Sequence, residues 1–127
     1  VSQEKNLNIV IVDDDLLIRS ILRVMLEEIH CTVIGEAGDG ETGIETCLRL
    51  RPDIAFIDIE MPKLDGHLAT GRIRRACPQM SVIMISGLPS VGNLQLAMEA
   101  GASGFVGKPL DPVKVSDAID SCIRQKR

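Results

Sequence analysis

Four short apolar runs each end in a side chain able to do chemistry. Asn8–Val12 leads into Asp13-Asp14, Ile54–Ile57 into Asp58, Val82–Ile85 into Ser86, and Phe105–Gly107 into Lys108-Pro109. Carboxylate oxygens are hard ligands and no His or Cys lies in these segments, so the natural guest is Mg²⁺, with Mn²⁺ or Ca²⁺ as substitutes. An Asp can also attack as a nucleophile to form an acyl phosphate. Lys108 then supplies a point charge for the phosphoryl oxygens, and Ser86 a hydroxyl that can donate to one of them. Brought together, the acids repel: two unit charges ~4 Å apart cost roughly 4 kcal/mol at an effective dielectric of ~20. A raised pKa or a bound cation relieves this.

The runs must be positioned by the elements around them. Apolar runs rich in β-branched residues and bounded by turn signals read as buried parallel strands. In such a sheet the C-terminal strand ends share one edge, where ligands bind. Strands are expected at about Asn8–Val12, Thr32–Glu36, Ile54–Ile57, Val82–Ile85 and Gly104–Gly107. Helices alternate with them, from near Asp15 to Glu28, from Gly38-Asp39-Gly40 to Leu50, over Asp65–Arg75 and Val91–Ala100, and from Pro112 to near Arg124. The fold class is α/β, a doubly wound five-stranded parallel sheet with right-handed crossovers. Order 2-1-3-4-5, the flavodoxin-like three-layer sandwich, puts the switch point between strands one and three, where Asp13, Asp14 and Asp58 fall.

Bulk composition narrows the function. The 127 residues are expected to form one domain with a structured core over about 7–124. The chain is 45% hydrophobic, with two Phe and no Tyr or Trp, so it has no aromatic platform for nucleic acid. A net charge of −4 gives no overall pull toward DNA or anionic lipid. Cys31, Cys47, Cys77 and Cys122 lack metal-like spacing and read as small buried hydrophobes in a reducing, cytoplasmic setting. No apolar stretch is long enough to cross a bilayer and no signal peptide is visible.

Taken as an ordered set, Val12-Asp13-Asp14, Ile57-Asp58-Ile59-Glu60-Met61-Pro62, Asp65-Gly66, Ser86 and Lys108-Pro109 resemble the receiver domain of bacterial two-component response regulators. The resemblance runs over essentially the whole chain. It implies that Asp58 is the phosphoacceptor, taking phosphate from a histidine kinase or phosphotransfer protein. It implies Mg²⁺ held by Asp13, Asp14, Asp58 and the Glu60 backbone carbonyl, with Asp14 the more direct ligand of the acidic pair. It implies that Ser86 and Lys108 bind the phosphoryl group and that the Lys108–Pro109 bond is cis, an isomer proline makes accessible. Activation would move the Ser86 hydroxyl to the phosphoryl oxygen and turn Phe105 inward, changing the face formed by the fourth helix, fifth strand and fifth helix. Physically this is a phosphate-biased two-state equilibrium. The expected protein is a signalling domain, not an enzyme acting on a separate substrate. Its output domain or target is open, and a dimer formed on phosphorylation is allowed.

Two rival functions belong beside this one. A Mg²⁺ phosphohydrolase of haloacid-dehalogenase type also attacks with Asp, but it carries D-x-D-x-T where this chain has Asp58-Ile59-Glu60-Met61-Pro62, and no cap domain is expected. A docking-only receiver would lack a key side chain, and all are present. The G-x-G-x-x-G match at Gly38–Gly43 follows the second strand and places Asp39 and Glu41 where a pyrophosphate needs bare N–H groups, so it is not read as a dinucleotide site. His67 is expected at the surface, and a Ser86/His67 triad has no G-x-S-x-G to support it. The first helix is apolar over more than one stripe, which implies packing between helices or a partner or self-association surface.

Overall fold

A computed structural model describes residues 6–61 and 64–126. Five strands, β1 (Asn8–Val12), β2 (Thr32–Ala37), β3 (Ile54–Asp58), β4 (Ser81–Ser86) and β5 (Gly104–Gly107), alternate with five helices, α1 (Leu16–Glu28), α2 (Gly40–Leu50), α3 (Gly66–Ala76), α4 (Val91–Ala100) and α5 (Pro112–Gln125). The strands form one parallel sheet in the order β2-β1-β3-β4-β5, so the expected fold class is the observed one.

The three central strands show why continuous apolar runs were needed. In β1, Ile9 and Ile11 enter one core layer with Leu22, Leu26 and Ile119 from α1 and α5. Val10 and Val12 enter the other layer, with Cys47, Ile73 and Ala97 from α2, α3 and α4. Each strand therefore buries both faces, which is the doubly wound arrangement. All four cysteines are buried thiols.

Every helix starts at a polar cap. Asp15, Asp39, Asp65, Ser90 and Asp111 each accept a hydrogen bond from a backbone N–H in the first turn. Such a cap typically stabilises a helix by about 1 kcal/mol. Because β1, β3 and β4 deliver their reactive residues immediately before these loops, the caps also fix the loop geometry at the site edge.

Element ends differ by a residue or so from expectation. β2 continues through Ala37, and β3 and β4 include the polar residues Asp58, Ser81 and Ser86. Those polar residues still take part in parallel pairing, which apolar patterning alone does not reveal. α1 buries only Leu22 and Leu26, while Leu16, Leu17 and Val24 are more than half exposed. The breadth of its apolar surface is thus not used in packing between helices of this chain. α4 is similar, burying only Ala97 and exposing Val91 and Met98. His67 departs from its expected surface position. It is half-buried, and both ring nitrogens are covered without a hydrogen-bond partner among the described residues. The preceding residue, Gly66, lies close against the end of β3, where a Cβ would meet the Asp58 carbonyl oxygen at 2.3 Å.

Candidate functional site

The C-terminal edge of the sheet collects the expected residues. Asp13 follows β1 directly. Its N–H donates to the Ala37 carbonyl at 3.0 Å, and its own carbonyl accepts from the Arg19 guanidinium at 2.7 Å. Its carboxylate is fully buried (0% exposed), with Oδ1 accepting from the Asp15 N–H at 2.8 Å. Oδ2 forms an ion pair with Lys108 Nζ at 3.3 Å and has no other polar partner among the described residues. Asp58, the last residue of β3, is 2% exposed, and its Oδ2 lies 3.5 Å from the same Nζ. Asp14 is exposed at the mouth.

Carboxylate oxygens of Asp13, Asp14 and Asp58 all lie within 4.8 Å of one another. Two buried acids and one exposed acid, with Asp13 Oδ2 balanced only by the Lys108 ammonium, match what a small hard cation requires: clustered oxygen donors and water access at the mouth. The residues present therefore fit a divalent ion such as Mg²⁺.

The electrostatics carry the cost of this grouping. Burial, reinforced by the neighbouring Asp13 charge, pushes the Asp58 carboxyl up to about 7, against an opposing pull from Lys108. Burial likewise raises Asp13, opposed by the Asp15 N–H and by Lys108. Lys108 is itself partly desolvated, which disfavours its charge, but the Asp58 and Asp13 carboxylates outweigh this and hold it above the ordinary lysine value.

Lys108 reaches the pocket from just beyond β5. Its N–H donates to the Ser86 carbonyl at 2.8 Å, and the Lys108–Pro109 peptide is cis. Ser86 ends β4 with its side chain fully buried. Its hydroxyl donates to Glu60 Oε2 at 2.8 Å and accepts from the Leu88 N–H at 3.0 Å. Phe105 lies on β5 opposite Met84, half-buried against the layer formed by α2, α3 and α4.

The edge thus brings together Asp13, Asp14, Asp58 and Lys108, with Ser86 joined to them through Glu60 and the Lys108 backbone. Pro62, part of the motif after Asp58, lies outside the described residues.

Three features escaped the sequence reading. The Glu60 carboxylate, considered there only for its backbone, is bound to Ser86 and to the Gly87 N–H, the latter at 2.9 Å. An acid two residues past the central Asp was the available signal. Arg19 and Arg23, four apart on α1, both bind the Glu36 carboxylate, at 2.8 and 2.6 Å. Burial works to raise Glu36, but these arginines outweigh it and hold the carboxyl below its usual range. The third is the steric role of Gly66, named above only within the Asp65-Gly66 motif: a Cβ there would lie 2.3 Å from the Asp58 carbonyl oxygen. Only glycine lets α3 approach the residue that centres the pocket.

Comparison with known proteins agrees with this geometry. Residues 9–120 match the family model described as the response regulator receiver domain. The chemotaxis protein CheY of Thermotoga maritima is 32% identical over 112 residues, covering 88% of this chain and 93% of its own. A protein-glutamate methylesterase/protein-glutamine glutaminase of Geobacter metallireducens is 38% identical over 123 residues, covering 94% of this chain. This chain spans only 33% of that relative's length. Among solved structures, the CheX-CheY-BeF3-Mg complex of Borrelia burgdorferi superposes with a TM-score of 0.88 at 31% identity, covering 91% of this chain and 88% of that one. The chain belongs to the response regulator receiver domain family, the signalling class that its fold and acidic pocket define.

Proposed function

We propose that this domain is a phosphoacceptor switch in which Asp58 takes a phosphoryl group from the phosphohistidine of a histidine kinase or phosphotransfer protein. The observation that carries the reading is the position of Asp58: buried at the sheet edge, with carboxylate oxygens of Asp13 and Asp14 within 4.8 Å and the Lys108 ammonium 3.5 Å from its Oδ2. Asp58 Oδ2 would attack phosphorus while the donor imidazole leaves, giving an acyl phosphate. Lys108 would shift from pairing with Asp13 and Asp58 to pairing with the new phosphoryl oxygens. Asp13, Asp14, Asp58 and the Glu60 backbone carbonyl would hold Mg²⁺. When bound, that ion supplies positive charge that lets Asp58 ionise and offsets charge on the phosphoryl oxygens. Ser86 would donate its hydroxyl to the phosphoryl group, and Phe105, half-buried beside β4, would follow into the space so released. The exposed apolar residues of α4 lie on the face expected to carry the signal onward.

The superposed Borrelia complex, a CheX-CheY-BeF3-Mg assembly, supports the same chemistry by analogy. A cytoplasmic setting follows from the proposed donor. The effector activity of the methylesterase relatives would lie in the part of those proteins outside the match.

Treatment with radiolabelled acetyl phosphate and Mg²⁺ tests the reading. The wild-type domain should acquire hydroxylamine-labile label, and Asp58→Asn should not. Sustained turnover of p-nitrophenyl phosphate would instead favour a phosphohydrolase.

A further inference from the structure

The Glu60 side chain has no part in the phosphoacceptor scheme, yet it makes the shortest side-chain contact with Ser86. One carboxylate oxygen accepts from the Ser86 hydroxyl at 2.8 Å and the other from the Gly87 N–H at 2.9 Å. A serine hydroxyl has one proton to donate. Here that proton is committed to Glu60, and the hydroxyl oxygen is already accepting from Leu88. Both donors at the end of β4 therefore face a bidentate anion, through the charge-assisted kind of hydrogen bond.

The carboxylate also sits on the pocket side of this turn. A Cβ on Gly87 would lie 3.7 Å from Glu60 Oε1 and 3.8 Å from the Lys108 side chain. Glu60 is tethered two residues from Asp58, so its local concentration at the donors is high. The residue is otherwise exposed, so water can solvate the carboxylate when it leaves.

We infer that Glu60 is a built-in competing anion, holding the Ser86 hydroxyl and the Gly87 N–H so that a phosphoryl group on Asp58 gains these donors only by displacing it. The inference rests on Asp58 being the phosphoacceptor. Glu60 is then a positioning residue that keeps the resting state closed to its own signal. Its strength sets how much of the phosphoryl group's binding is spent on the exchange.

Two readouts test this. In the amide NMR spectrum of the metal-free domain, Glu60→Ala should move the Gly87 N–H upfield, as a charge-assisted acceptor is lost. An unchanged Gly87 resonance overturns the inference. In Mg²⁺ buffer, beryllofluoride should bind Glu60→Ala on the order of fivefold to tenfold more tightly than wild type. Glu60→Asp separates occupancy from simple repulsion, because it keeps the charge but is too short to reach both donors. Tighter binding to Glu60→Asp than to wild type supports occupancy. Wild-type affinity in Glu60→Asp, with a gain only in Glu60→Ala and Glu60→Gln, reduces Glu60 to a repelling charge and overturns the proposal. Binding that Asp58→Asn abolishes but Glu60→Ala leaves unchanged defeats this inference alone. No binding in any variant defeats the phosphoacceptor reading and the inference with it.

Discussion

Lys108 Nζ lies 3.5 Å from Asp58 Oδ2 and so ties the end of β5 to the end of β3, across the intervening β4. The contact is the main force lowering the Asp58 carboxyl against burial and the Asp13 charge. Removing the ammonium leaves those raising effects opposed only by the weaker hydrogen bond from the Glu60 N–H. Lys108→Met should therefore titrate at Asp58 above the wild-type midpoint of about 7. Carboxyl carbon NMR across a pH series reads this directly, and an unmoved or lowered midpoint would show that Lys108 is not the principal counter-charge.

The same raised carboxyl makes metal-free stability depend on pH. The folded state holds the Asp58 proton up to about 7, whereas the ordinary value is 3.8. Its contribution is complete below about pH 4 and is lost as the pH rises through about 7. Thermal melts in chelator should accordingly show wild-type stability falling across that window, with a flatter profile for Asp58→Asn. The variant should be the more stable at pH 8, by on the order of 1–3 kcal/mol. Mg²⁺ should restore wild-type stability at pH 8 by binding the ionised pocket, and Asp14→Ala should remove most of that rescue. Equal pH profiles for wild type and Asp58→Asn would refute the assignment.

Gly66 gives a steric test. Any Cβ at this position meets the Asp58 carbonyl oxygen at 2.3 Å, a backbone atom that cannot rotate away. Gly66→Ala should cost about 2–3 kcal/mol in denaturant unfolding and shift the Asp58 amide and carboxyl resonances, since relief requires α3 or the end of β3 to move. Gly71, on the same helix, is the control, since a Cβ there would meet only the Arg75 guanidinium, at an ordinary 3.9 Å. Gly71→Ala should be neutral or slightly stabilising through helix propensity.

The fold was legible because burial on both faces writes a continuous apolar run, as Ile9–Val12 and Ile54–Ile57 show. Asp13, Asp58, Ser86 and Lys108 were legible because each stands at the end of such a run, and parallel pairing aligns those ends. Ser81 and Ser86 were left out of β4 because hydrophobicity does not report backbone pairing. The Glu60–Ser86 and Arg23–Glu36 contacts depend on how separate loops and elements meet in space, which local patterning does not encode. The half-burial of His67 is likewise a tertiary property, since the turn that carries it begins at Gly66, close against the end of β3.

The proposed switch depends on Asp58 accepting a phosphoryl group inside the pocket it shares with Asp13, Asp14 and Lys108. Intact-protein mass spectrometry after acetyl phosphate treatment in Mg²⁺ measures this most directly. Wild type should gain a single phosphoryl group, lost on chelation of the metal before treatment and absent from Asp58→Asn. An unmodified wild-type mass, or equal modification of Asp58→Asn, would contradict it.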